Sequence, residues 1–225
     1  MVLDHIRWFF PGISPYAFHQ FGRLVMPVFA FLIAQGMIYT KNRREYIVRL
    51  LLFGAVTTVV GQQLVFYVGG GAFTFNIPIS FAIAAMIITA VDNARDAKRA
   101  DKRFLWLLSV IPLAGVALFF EGAWIVTVPV LIFYFLRNMP LIMCTAYIAA
   151  MPPVIYITTQ IWGFMMGGTV LMPSQWLMVF GVIPIMLYNG KRGSAITGRI
   201  GLASKYGFYV FYPLHLWVLY LIANL

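Results

Sequence analysis

Asp4 and His5 stand side by side in MVLDHIRWFF, an acid and an imidazole in a largely apolar stretch. Arg23 follows in GRLVMPVFAFLIAQG and His215 in YPLHL, each again inside an apolar run. Ionisable groups in such runs are expensive to bury, and by default they point to function. An imidazole titrates near neutral pH and a carboxylate can orient it, so His5 is a candidate general base. Neighbouring residues on a helix point about 100° apart, so Asp4 need not touch His5. The structural alternative is an Asp4–Arg23 ion pair joining two helices, which adds little net stability but is damaging to break. His215 either joins the chemistry or satisfies a backbone carbonyl freed by Pro213. Asn76 and Glu121, at expected helix ends, belong either to the same site or to helix caps.

The elements that must position these groups are set by composition. The 225 residues are 62% hydrophobic and only 10% charged, and mean hydropathy is +0.89. A soluble domain is roughly half apolar and about a quarter charged. Apolar runs long enough to cross a bilayer recur along the chain. They predict spans at 21–40, 46–68, 75–91, 104–120, 123–136, 141–162, 175–188 and 206–222. The fold class expected is an all-α polytopic transmembrane bundle of about eight full spans and a truncated first helix, one domain over 1–225. Residues 1–10 are too short to span, so further chain upstream of Met1, or a misassigned start, is expected. Residues 13–20 read as a short connection, and Pro152-Pro153 as a kink.

Alternating spans put the basic segments 41–44, 95–103, 137 and 191–205 on one side. The opposite loops, 11–20, 69–74, 121–122 and 163–174, contain no Lys or Arg. This asymmetry predicts that the basic loops are cytoplasmic and the C-terminus extracytoplasmic. Asp4, His5, Arg23, Asn76, Glu121 and His215 then gather in the outer half to middle of the bundle. The net charge of +10 raises nucleic-acid binding, but the charges form short blocks between spans, with no stripe to follow a phosphate backbone. Lys191 and Arg192, flanked by Gly190 and Gly193, contact either lipid headgroups or a phosphate-bearing substrate. Arg49, close to the basic side, snorkels to headgroups. Cys144 is the single cysteine and reads as a small buried core residue. With no HExxH and no Cys/His ligand cluster, no metal is expected, and with no Walker loop, no ATP hydrolysis.

Four segments in order, MVLDHI, GRLVMPVFAFLIAQGMIYTKNRREY, LYNGKRG and KYGFYVFYPLHL, resemble the TraX family of conjugal-transfer membrane proteins. The resemblance runs across nearly the whole chain. It implies kinship with the acyltransferase-3 membrane enzymes, which are similar in carrying a histidine on the first helix and an arginine on the second. A named member of the family acetylates a pilin N-terminal amine. Carried over, the resemblance assigns Asp4 and His5 to the first helix, Arg23 to the second, Asn76 to the start of a later one and His215 to the last. Glu121 departs from the pattern, because Glu-Gly-Ala stands where family members often show an acidic or polar residue with Tyr-Gly.

The resemblance implies an acyltransferase in the bacterial cytoplasmic membrane, using acetyl-CoA or another acyl-CoA. Its acceptor would be a pilin-like protein or an envelope polymer. The donor would enter from the cytoplasmic face near Lys191, Arg192 and Arg137. His5 would deprotonate the acceptor, Asp4 orient His5, Arg23 stabilise negative charge or hold Asp4, and His215 donate a hydrogen bond. Asn76 and Glu121 would contact substrate. Two rivals use the same residues differently: a small transporter, and a non-catalytic assembly factor of a conjugation or secretion machine.

Overall fold

The computed structural model describes residues 1–71, 73–74, 76–168, 173–189 and 198–224. The chain begins with two short helices, α1 (Val2–Phe9) and α2 (Tyr16–Arg23). These lead into α3 (Val25–Tyr39), α4 (Arg43–Val68), α5 (Ile77–Asp96), α6 (Ala100–Ala117), α7 (Ala123–Phe135) and α8 (Pro140–Met165). A 3-10 helix, Pro173–Gly181, then precedes α9 (Val182–Met186), and α10 (Gly198–Asn224) closes the bundle. Among the described residues there is no strand.

Among the described residues, four helices are long and apolar enough to cross a membrane: Tyr16–Tyr39 taken as one, α4, α5 and α8. Shorter apolar helices cover α7, Ser174–Met186 and Tyr209–Asn224. The fold is therefore an all-α, polytopic, membrane-associated bundle. Its lipid-facing signature is inverted burial: Leu52, Val59 and Phe66 on α4 and Phe104, Leu105 and Ile111 on α6 are exposed, whereas Ala82, Ala84, Ala85 and Ile88 of α5 are fully buried. The core forms where α3, α5, α7 and α8 meet, around Met37, Phe133, Tyr147 and Met151. Cys144 is buried there.

Local chemistry explains where the helices stop. α2 and α3 are separated by a single residue, Leu24, whose N–H bonds to the Phe21 carbonyl. Pro27 lacks the N–H that would bond the Arg23 carbonyl four residues back, so the α-helical ladder breaks there. Pro184 acts similarly on Phe180, and the segment expected as one span at 175–188 is instead a 3-10 helix followed by a five-residue α-helix. Residues 16–20, expected within a connection, are helical because Pro15, with φ −60°, sets the start of α2. α4 opens on a reciprocal cap: Glu45 N–H donates to Asn42 Oδ1 at 3.2 Å, and Asn42 Nδ2 donates to Glu45 Oε1 at 2.7 Å.

One end of the bundle is tied by a polar cluster. Arg43, at the start of α4, donates to Asp92 Oδ2 of α5 at 2.7 Å and to Tyr134 Oη of α7 at 2.6 Å. Tyr134 donates in turn to Asp92 Oδ2 at 2.5 Å. Arg43 also reaches the Met37 carbonyl near the end of α3. The basic loops after α3, α5 and α7 thus meet at one end. The turns after α1, before α5 and before α7 meet at the other, where Trp162 of α8 donates to the Leu118 carbonyl at 3.0 Å.

Candidate active site

α1 is an eight-residue helix whose one buried residue is His5. It lies close against α2 because residue 22 is glycine: a Cβ there would occupy the space of the Asp4 side chain. That close approach brings Asp4 Oδ1 to 2.5 Å from His19 Nδ1 and 3.2 Å from an Arg23 guanidinium nitrogen. The same guanidinium nitrogen lies 3.1 Å and 3.2 Å from the two ring nitrogens of His19. Asp4 therefore pairs with His19 and Arg23. Arg23 Nε is buried and has no hydrogen-bond partner among the described residues. An unsatisfied buried donor is uncommon and calls for an explanation in function or in an absent partner.

His5 turns instead toward α10. Its Nδ1 lies 2.9 Å from His215 Nε2, with ring centroids 5.0 Å apart. His215 Nδ1 lies 2.8 Å from the Phe211 carbonyl. A carbonyl can only accept, so Nδ1 of His215 carries the proton there, and with a neutral ring its Nε2 is an acceptor. His5 Nδ1–H then donates to it, which leaves Nε2 of neutral His5 as the basic nitrogen. These tautomers are assigned from the hydrogen-bond pattern. His215 thus meets His5, and the carbonyl it satisfies is that of Phe211, its own i−4 neighbour, and not that of Tyr209, four residues before Pro213.

Glu121 is held on a tight turn. Gly122 has φ +78°, in the left-handed region, and a Cβ there would strike Val126. Glu121 Oε2 accepts the Asn76 backbone N–H at 2.6 Å and lies 3.4 Å from Tyr212 Oη. Its main-chain carbonyl accepts from Ser80 Oγ at 2.7 Å. Asn76 caps α5, Oδ1 accepting from Ile79 N–H at 3.4 Å, and Nδ2 donates to the Gly54 carbonyl and to Thr58 Oγ1. Asn76 is thus both a cap and a neighbour of Glu121. Glu121 does not cap α7, whose N-cap is Gly122. Burial pushes the Glu121 carboxyl up to about 7, opposed by the Asn76 hydrogen bond and by Arg23.

Asp4, His5, Arg23 and Glu121 line one cavity of about 960 Å³ with mostly apolar walls. Along α4 its wall is Tyr46, Leu50, Phe53 and Thr57, one helical face whose ends are about 16 Å apart at 1.5 Å rise per residue. The cavity therefore extends from the acid–histidine end toward the end tied by Arg43. His5 and Arg23 are its only basic lining residues among those described. Such walls suit an apolar group, whereas Arg43, Arg95 and Arg137 gather at the opposite end around the rings of Tyr134 and Phe135.

Of the residues singled out in the sequence, Asp4, His5, Arg23 and Glu121 meet at this cavity, with His215 and Asn76 directly behind them. Lys191 and Arg192 lie outside the described residues. Four side-chain partners were not foreseen: His19, Tyr212, Thr58 and Ser80. His19 sits four residues before Arg23, the spacing of neighbours on one helix face, a signal hidden by reading 13–20 as a connection.

The family model described as TraX protein matches residues 1–223. A curated relative, "Probable fimbrial assembly protein FimC, serogroup H1" of Dichelobacter nodosus, is 24% identical over 239 aligned positions, which span 96% of this chain and 88% of the relative. No solved structure matches.

Proposed function

This chain belongs to the TraX family, and we propose that it is a membrane-embedded acyltransferase, moving an acetyl or other acyl group from acyl-CoA to an extracytoplasmic acceptor such as a pilin N-terminal amine. The observation that carries this reading is the apolar cavity that has His5, Arg23 and Glu121 at one end and Tyr46 toward the other. In this reading the bundle makes eight crossings of the bacterial cytoplasmic membrane, with α2–α3 counted as one and the 3-10 helix with α9 as another. The basic loops face the cytoplasm and the C-terminus faces outward, as the Lys/Arg asymmetry favours.

The donor's nucleotide end stays at the cytoplasmic face, near Arg137, Lys191 and Arg192, while its thioester reaches the outer end of the cavity. The acceptor nitrogen attacks the thioester carbonyl carbon. An N–C bond forms, the C–S bond breaks, and His5 Nε2 takes a proton from nitrogen and returns it to the departing sulfur. His215 holds His5 in the tautomer this requires. Arg23, with Nε lacking a partner among the described residues, donates to the oxygen that gains negative charge. Asp4 and His19 fix Arg23, and Asn76 fixes Glu121 against the acceptor.

The test is acyl transfer in membranes supplied with isotopically labelled acetyl-CoA. Labelled acceptor from wild type and none from His5→Ala supports the enzyme; label crossing the membrane without covalent product supports a transporter instead. The likeness to a probable fimbrial assembly protein favours one further reading, a fimbrial assembly role. If that role is non-catalytic, His5→Ala restores assembly as well as wild type does.

A further inference from the structure

The acidic and basic side chains on the cavity wall, Asp4, His5, Arg23 and Glu121, are unequally committed. Asp4 is engaged by His19 and Arg23. His5 and His215 form one pair, with His5 Nε2 the basic atom. Glu121 is held through Oε2 alone, by the Asn76 N–H and Tyr212 Oη. No described residue hydrogen-bonds to Oε1. The carboxyl group is fixed by one oxygen while the side chain opens on the cavity shared with His5.

The proton balance of acyl transfer gives this arrangement a use. A hydroxyl acceptor releases one proton to the base, the departing sulfur takes it back, and nothing is left over. An amine enters water near neutrality largely as an ammonium ion, since an α-amino group titrates at about 7.7–8.0. The reaction is then R–NH3⁺ plus acyl thioester giving amide, thiol and one free proton. Nitrogen must lose two protons, and the sulfur consumes only one. His5 cycles the proton that ends on sulfur, so the surplus proton needs a second acceptor.

We propose that Glu121 is that second proton acceptor, binding the incoming ammonium through Oε1 and taking the proton that frees the amine for attack, which fits the site to primary amines over hydroxyls. The inference rests on the acyltransferase reading with an amine acceptor and adds to it a proton-accepting role for Glu121. The groups facing Glu121 are consistent with the role: Asn76 at the start of α5 and Tyr212 of α10 supply neutral donors, and Arg23 of α2 and Asp4 of α1 act on it with opposite charge. A carboxyl raised to about 7 is matched to a proton that must be picked up and released near neutral pH.

The experiment uses the full chain in membrane vesicles, acetyl-CoA and a short peptide with a free N-terminal amine, with kcat/KM measured from pH 6.5 to 9. Glu121→Gln keeps an oxygen for the Asn76 N–H but cannot take a proton. It is expected to lower transfer by about 5- to 10-fold at pH 6.5, within the bound set by the small free-amine fraction there, with the deficit shrinking toward wild type by pH 9, where the peptide amine is already free. An unchanged profile overturns the inference, and so does an equal deficit at every pH in a variant that melts like wild type. Should Glu121→Gln fail to fold, Glu121→Asp decides: it must retain transfer at pH 6.5 for the inference to stand. No transfer by wild type at any pH overturns the acyltransferase reading and this inference with it.

Discussion

His5 Nδ1 lies 2.9 Å from His215 Nε2, so the histidine of the first helix is oriented by the last helix and not by the acid beside it. If His215 acts by holding the His5 tautomer, the two residues work as a unit and their losses do not add. His5→Ala is expected to lower acyl transfer by about 10²- to 10⁴-fold, the range for a general base. His215→Ala should cost less, and the double variant should match His5→Ala alone. Rates of the three variants in the same membranes check this; additive losses would place His215 in an independent role.

Gly22 sets the approach of α1 to α2. In Gly22→Leu the added side chain collides with Asp4 and must push α1 outward. Overpacking of this kind costs about 1–3 kcal/mol and separates Asp4 from His19 and Arg23. The expected outcome is a lowered melting temperature in detergent together with impaired transfer. Wild-type stability and rate in this variant would mean that the close packing of α1 is not needed.

The Arg43–Asp92–Tyr134 cluster lies at the opposite end from His5. Asp92→Ala leaves Arg43 and Tyr134 without their shared acceptor. Because the Arg43 and Asp92 side chains are 35% and 20% exposed, solvent moderates the loss, and a cost of about 1–2 kcal/mol is expected. Tyr134→Phe should cost about 1 kcal/mol. Both should melt earlier yet keep KM for the acceptor, which thermal melts and acceptor titrations measure. A change confined to acceptor KM would show that this end reaches the acceptor site.

Much of this architecture was legible in the sequence. The loops that carry Lys and Arg alternate with loops that carry none, and the structure ties the helix ends beside the basic ones through Arg43, Asp92 and Tyr134. The meeting of Asp4, His5, Arg23 and Glu121 followed from the same alternation. What the sequence hid is pairing at atomic range. Residues 4 and 5 point to different neighbours on a helix, and only the packing of α1 against α2 and α10 decides which neighbour each meets. Pro27 and Pro184 were visible, but which carbonyls they release depends on where each helix begins.

Glu121 also links pH to stability. Its folded-state value, about 7, stands above the ordinary 4.5, so the folded state holds this proton more tightly than the unfolded state does. Its contribution to stability is therefore fully present below about pH 4.5 and is lost as pH rises through about 7. Wild type should lose melting temperature between pH 5 and 8, and Glu121→Gln should lose less over the same range. Parallel melts at the two pH values check this; an identical decline in both would assign the pH dependence to other groups.

The most direct test of the central claim is the mass of the acceptor. Membranes carrying wild type, acetyl-CoA and a peptide with a free N-terminal amine should yield peptide heavier by one acetyl group. The same membranes with His5→Ala at equal abundance should yield none above background. Equal acetylation by wild type and His5→Ala would contradict the account.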